Sequence, residues 1–584
     1  MVGSLQLVHR FRIPAVFCAL AVLVCELVSR PYANMGVCDD WPYILTAQHL
    51  AETGHIAYNG WPAAMIGWQF YLGAAFIKML GMSLTHARIS TLVVAIVTAF
   101  LIQRTMVRSN ISERNATIGT LALVLSPIYL MLSATFMTDI PGLFAIVVCL
   151  YGCLRAVQTS SARAAIGWLW LAAMTNAICG SSRQIAWLGV LVMVPSTIWL
   201  LRSKRAVLFA GALANVVGVV IVFGCMIWFK HQPYTQPEHL FAGTISISHM
   251  FQELLNTFLD IPYLLLPIVV LFLPQVRKSP LRIVTALFLG LLLVVVHPRH
   301  TGQVFLLEPT QGDWVDVHAI FEYLFLKGAP PIFFNTGARV VLTLLSYGGL
   351  LGLIASHFRR RETASEVESA GTISWRQLGV LLGPFAIAYV LLLVPRATTF
   401  HLTDRYTLGV LVVILIYLVR YYQDRIHRRL PEAAVVLVAL AAIVGVAINH
   451  NLFALYRART ALAAELRAAG VPDTSVDNGW EYDMGVELQH AAFLNDHRIE
   501  VPAGAYVPTP APAAGTCYWY YDPFPHIHPI YGISFDPDAC YGEAPFAPVH
   551  YSRWLASKPG TLYVVKYKPS SAVDEAHFRG SKFQ

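Results

Sequence analysis

The sequence predicts an all-α polytopic membrane bundle of about thirteen transmembrane helices, followed by a small soluble C-terminal domain of α/β or mixed type. Three observations carry that prediction. Of 584 residues, 56% are hydrophobic and only 13% are charged, with a mean hydropathy of +0.57. An ordinary soluble domain carries roughly 25% charged residues to cover its surface. Apolar runs near the ~20 residues that cross a bilayer core recur up to residue 449. Lys and Arg gather in the short gaps between those runs. Together these features exclude a cytosolic enzyme, a disordered regulator and a nucleic-acid binder.

In order, the candidate spans are 13–29, 86–103, 116–134, 140–156, 164–180, 185–201, 206–228, 252–273, 281–297, 337–356, 377–395, 406–421 and 432–449. Arg10 and Arg12 precede the first run as in a signal peptide, but no small-x-small cleavage site follows Ser29, so it reads as an anchor. With the N-terminus inside, 21 of the 41 basic residues fall in seven inner clusters, from Arg10/Arg12 and Arg104/Arg108/Arg114 to Arg420/Arg425/Arg428/Arg429. Residues 62–80 are apolar enough to span, yet counting them would invert every later loop. They are therefore assigned to a juxtamembrane helix or hairpin on the outer surface. The outer face then receives a long first loop (30–85), a turn at 134–139, loops at 229–250 and 298–336, and a turn at 396–405. Residues 1–450 form the membrane domain and 451–584 an extracytoplasmic tail. The tail carries 14 acids against 10 bases and ends in the strand-like TLYVVKYKP (561–569). Cys18, Cys25, Cys149, Cys153, Cys179 and Cys225 lie in apolar runs and read as small hydrophobes. Cys517 and Cys540, in the tail, are candidates for a disulfide.

Ionisable groups near a membrane are costly, so their placement is informative. Asp39 and Asp40 open a predicted surface helix over 41–53, with Pro42 in its first turn and Gly54 as its stop. One aspartate suffices as an N-cap; two adjacent carboxylates suggest chemistry. Asp139, in Thr138-Asp139-Ile140-Pro141, reads as a cap for the next span, and under the topology it shares the outer face with Asp39 and Asp40. Carboxylates at a cavity mouth position a hydroxyl and accept its proton. Arg405, in Thr403-Asp404-Arg405-Tyr406, reads either as half of a structural ion pair or as an anion ligand. Arg183 reads either as a snorkelling side chain or as a second phosphate ligand. Lys78, Arg88, Arg299, His300 and Arg396 rank below these. The 298–336 loop, with Glu308, Asp313, Asp316, His318 and Glu322, reads as a substrate-covering flap or an amphipathic surface helix. His231, His239, His297 and His300 lack the further ligands of a metal site, and no Gly-rich nucleotide loop is present.

The order and sidedness of Asp39-Asp40-Trp41-Pro42-Tyr43, Ala87-Arg88-Ile89, Met137-Thr138-Asp139-Ile140-Pro141 and Asp404-Arg405-Tyr406 resemble the GT-C membrane glycosyltransferases, especially the branch of protein O-mannosyltransferases and aminoarabinose transferases. The resemblance covers about residues 10–450. It implies a polyprenyl-phosphate-linked sugar donor and an envelope lipid, glycan or protein acceptor at the extracytoplasmic face of a bacterial inner membrane. By the same resemblance Asp39 matches the catalytic base, Asp40 the neighbouring acid (usually Glu in the family) and Tyr43 the motif tyrosine. Asp139 matches the acid of the second outer loop, Arg405 and Tyr406 the late Arg-Tyr pair, and Arg183 a position that often carries Lys. No cofactor is required; a divalent metal is compatible but not indicated. The alternative from another class is a transporter or flippase, which is expected to show internal repeats and mid-membrane charges; neither is visible.

Overall fold

The computed structural model describes residues 12–61, 64–235, 245–296, 307–309, 315–319, 326–358, 372–398, 402–491, 507–508, 521–522, 527, 529–537 and 541–567. The chain enters with α1 (Ile13–Ser29) and crosses the first loop through two short helices, α2 (Asp40–Thr53) and α3 (Trp68–Leu80). It continues through α4 (Leu84–Arg108), α5 (Glu113–Val124), α6 (Pro127–Ser133), α7 (Asp139–Gln158) and α8 (Ala162–Cys179). A run of 3₁₀ and π turns leads to α9 (Val194–Leu200) and then α10 (Arg205–Lys230). The second half holds α11 (Ile247–Leu264), α12 (Leu266–Val269), α13 (Leu281–Val296), α14 (Thr336–His357), α15 (Trp375–Ala397), α16 (Leu408–Arg425) and α17 (Glu432–Ala468).

Each predicted span coincides with helix. Eight described helices are long and apolar enough to cross a membrane, and two bent pairs bring the number to 10. Ile13–Ser29, Gln184–Leu200 and Leu281–Leu293 are shorter apolar helices. The α5–α6 bend of 67° falls where Ser126 caps α6 and Pro127 opens it, so Pro interrupts the hydrogen-bond ladder. Helix α3 has 13 residues, ~20 Å of rise. That is too short for a ~30 Å core, which agrees with its juxtamembrane assignment. Helix α2 ends where Gly54, at φ +80°, turns the chain through a left-handed conformation.

Three of the basic turns, around 104–114, 158 and 423–432, meet at one end of the bundle. Arg104 pairs with Glu113 at 3.0 Å and Arg114 with Glu432 at 2.5 Å, while Gln423 accepts the Ser112 N–H and Gln158 donates to the Arg108 carbonyl. The long first loop, the α6–α7 turn and the tail lie at the other end. The boundary expected at 450 is not a linker: it falls inside α17, whose 37 residues run unbroken from the bundle into the tail. Hydropathy fades after residue 449, but the Ala-, Leu- and Arg-rich stretch that follows keeps helix propensity until Gly470.

The tail adds α18 (Trp480–Ala491) and a mixed sheet built from β1 (Val476–Asp477), β4 (Tyr531–Ser534), β5 (Tyr541–Glu543), β6 (Val549–Tyr551) and β7 (Gly560–Tyr567). Strand β1 runs parallel to β4, whereas β4, β5 and β6 all pair antiparallel with β7; β2 (Val507–Pro508) and β3 (Tyr521–Asp522) form a separate pair. Leu455, Leu462 and Leu466 of α17 bury against Ile533, Leu562 and Val564, giving the tail its own apolar core. The strand-like end of the chain is therefore β7 as far as Tyr567. Cys517 and Cys540 lie outside the described residues, as do Arg299, His300, Asp313, Glu322 and His401.

Candidate active site

The two adjacent aspartates divide their roles. Asp40 is fully buried, as is Arg88 on α4. Its Oδ2 accepts from Arg88 Nε at 2.7 Å and from the Phe136 N–H at 3.2 Å, while Oδ1 accepts from the Val37 N–H at 2.8 Å and Arg88 Nη2 at 3.1 Å. Arg88 also donates to the Ala33 and Met35 carbonyls. One ion pair thus ties together the loop after α1, helix α4 and the α6–α7 turn. A carboxylate so engaged holds geometry and has no capacity left for a reacting hydroxyl. Asp40, expected among the catalytic acids, is thus engaged on all sides by Arg88 and two backbone N–H groups. Asp39 stands at the N-cap position of α2 without making a capping hydrogen bond and is only half-buried.

Asp139 is buried at the start of α7, where one carboxylate oxygen accepts from Arg183 Nη1. The other oxygen is buried with no hydrogen-bond partner. Arg183 sits in extended backbone between two 3₁₀ turns, and Gly142, one turn into α7, leaves room for it: a Cβ on Gly142 would stand 2.8 Å from Arg183 Cβ. This segment is anchored to the first loop, since Trp68 Nε1 donates to the Cys179 carbonyl at 2.9 Å.

The late Arg-Tyr pair completes the constellation. Three guanidinium groups surround the Tyr406 ring, with Cζ of Arg396, Arg183 and Arg405 at 4.7, 5.0 and 5.4 Å from its centroid. Tyr389 of α15 donates its hydroxyl to the Tyr406 carbonyl at 2.8 Å. Asp404 is buried and accepts from the backbone N–H of Arg405 and of Val315, so a described part of the 298–336 loop is fastened beside the arginines.

Tyr43 joins the two halves. Its buried hydroxyl is held well above its ordinary pKa, first by burial and then by the Asp39 carboxylate, with Arg405 opposing and Tyr406 adding to the rise. These groups act on one hydroxyl only if residues 39, 43, 405 and 406 converge. Asp139, Gly142, Arg183, Tyr389 and Arg405 also line one tight cleft with about 10 Å³ of free space, roughly room for one water. Sequence reasoning ranked Arg88 and Arg396 too low and missed Tyr389, which looks like any residue of an apolar span. Among the described residues no group of His, Cys, Asp and Glu is arranged to hold a metal ion.

The structure is a bundle of apolar helices with three arginines gathered around Tyr406 near the first loop. Residues 64–245 match the family described as dolichyl-phosphate-mannose-protein mannosyltransferase. That segment includes Asp139 and Arg183, while Asp39 and Arg405 lie outside it. Among curated proteins no sequence match is found. Similar solved structures include the S. cerevisiae protein O-mannosyltransferase Pmt1-Pmt2 complex bound to the sugar donor, at 14% identity and a TM-score of 0.30, covering 38% of this chain and 34% of that one. The chain thus spans about a third of the yeast protein. ArnT from Cupriavidus metallidurans bound to undecaprenyl phosphate is similar at 14% identity and a TM-score of 0.40, covering 80% and 84% of the two chains. The Archaeoglobus fulgidus oligosaccharyltransferase matches at 13% identity and a TM-score of 0.32, over 75% and 55%.

Proposed function

We propose that the protein moves a hexosyl or pentosyl group from a polyprenyl-phosphate carrier to a hydroxyl of an envelope lipid, glycan or protein. The reaction is a single inverting displacement at the extracytoplasmic face of a bacterial inner membrane. Asp39 takes the acceptor proton as the hydroxyl oxygen attacks the anomeric carbon, and the polyprenyl phosphate leaves with the electron pair of the broken bond. The observation that carries the proposal is the convergence of Arg183, Arg396 and Arg405 on Tyr406. A phosphate brought among these guanidinium groups meets several forked donors. In the transition state the same guanidinium groups stabilise the growing charge on the departing phosphate.

Asp139 fixes Arg183 and, through its unpartnered oxygen, retains capacity for one further donor such as a sugar hydroxyl. Tyr43 lies within electrostatic reach of both Asp39 and Arg405, with Tyr406 as the platform for the arginines. Asp40 acts through Arg88 and is a positioning residue. The charge on the leaving group is met by arginine, so the scheme calls for no metal. The test is release of polyprenyl phosphate from a panel of polyprenyl-phosphate sugars by the purified protein with envelope extract as acceptor source. Sugar transfer with inversion at the anomeric carbon is expected. Failure to turn over every hexosyl and pentosyl donor contradicts the proposal.

A further inference from the structure

Away from that site, α1 and α17 leave between them an apolar cleft of about 480 Å³, within the ~300–1,000 Å³ range of ligand sites. Its walls include Val24 and Val28 of α1 and Ile443 and Val446 of α17, and the tail closes it with Trp554 and Leu555. This tip is built rigidly. Asn451 accepts from the Trp554 N–H at 2.7 Å and donates to its carbonyl at 3.1 Å. His450 stacks on the indole at 3.9 Å and shares a hydrogen bond with Ser552 at 2.8 Å. Leu555 is 62% exposed and adopts φ +58°, a conformation that a leucine rarely takes. A soluble domain that pins a Trp-Leu tip beside two membrane spans places it at the lipid interface, where Trp is favoured.

Positive charge stands by the cleft. Arg457 donates to the carbonyls of Arg30 and Tyr32 and lies over the Tyr32 ring at 4.5 Å. Arg30 and Arg457 both act electrostatically on His450, beside Trp554. Among the described residues neither arginine forms a salt bridge.

We infer that this cleft holds one acyl chain of an anionic glycerophospholipid from the tail-side leaflet, with the lipid phosphate at Arg30 and Arg457. The cleft is open along its side to the exposed faces of Val24 and Ile443, so the second chain of the lipid stays in the bilayer. It shares no lining residue with the Asp139–Arg405 cleft, and the inference stands apart from the transfer reaction.

The test is native mass spectrometry of the full-length protein in mild detergent, titrated separately with phosphatidylglycerol and phosphatidylcholine, and with undecaprenyl phosphate added to the phosphatidylglycerol-bound protein. One phosphatidylglycerol is expected to bind ahead of any further lipid. Arg30→Gln, which removes one basic group at the lipid surface, should weaken that binding about five-fold. Leu555→Asp should lose it; if Leu555→Asp fails to fold, Arg30→Gln alone decides. Equal binding of phosphatidylcholine, binding unchanged by Arg30→Gln, or stoichiometric displacement by undecaprenyl phosphate would each overturn the inference.

Discussion

Replacing Asp40 with Asn separates a positioning role from a chemical one. Each Asp40 oxygen accepts from one Arg88 nitrogen and one backbone N–H, Phe136 at Oδ2 and Val37 at Oδ1. Whichever way the new amide turns, its NH₂ group faces two donors. It also leaves the Arg88 charge, only 2% exposed, without its counter-ion. Breaking a buried pair by removing one partner costs about 3–5 kcal/mol. At roughly 2 °C per kcal/mol, the expected fall in melting temperature is ~6–10 °C. The assay is thermal unfolding of the detergent-solubilised protein, followed by loss of the monodisperse peak. Removing both charges, in Asp40→Asn with Arg88→Met, should recover much of the loss, because the stranded cation is gone. A single variant with wild-type melting and no turnover would refute this reasoning and return Asp40 to the chemistry.

Two further predictions test the seat of Arg183 and the charge balance of the tail. Gly142→Ala would place a methyl 2.8 Å from Arg183 Cβ, so Arg183 must shift from its place beside Asp139 and Tyr406, at an overpacking cost of about 1–3 kcal/mol that outweighs the helix-propensity gain of Ala; a lower melting temperature and weaker donor binding are expected, whereas unchanged donor affinity would show that Arg183 does not hold the phosphate. In the tail, burial and then the Asp477 charge raise the pKa of Asp483 well above the usual carboxylate range. A raised folded-state pKa favours the protonated form. Its contribution is therefore full below pH ~4 and is lost as pH climbs toward the folded pKa. Asp483→Asn should stabilise the tail near neutral pH and flatten its pH dependence in thermal melts; an unchanged slope would contradict this.

Much of the architecture was legible because membrane spans obey length and hydropathy so strictly. Even the refusal to count 62–80 as a span, made from loop charges alone, agrees with the 13-residue α3. The domain boundary was not legible by that route, since hydropathy marks where α17 leaves the lipid and says nothing of where the helix stops. The acids, arginines and tyrosines of the site could be picked out because charge near lipid is expensive. Which aspartate of the pair does what could not be read. Asp39 and Asp40 are neighbours in sequence, and only the fold shows that Asp40 is spent on Arg88 while the charge of Asp39 acts on Tyr43. Arg88 and Arg396 were visible as outer basic residues but indistinguishable from snorkelling ones until their partners were placed. Tyr389 carried no signal, because a buried tyrosine in an apolar span is ordinary.

The central claim is that Asp39 and Arg405 serve one reaction centre in different roles. It is tested most directly by measuring donor binding and sugar transfer side by side in Asp39→Asn and Arg405→Gln. Asp39→Asn should bind the polyprenyl-phosphate sugar normally and lose about 10²–10⁴ in turnover, the usual contribution of a positioned base. Arg405→Gln should bind the donor roughly 10- to 100-fold more weakly, the worth of about 1.5–3 kcal/mol for a charged hydrogen bond. Two variants that bind and turn over like the unaltered protein would contradict the account.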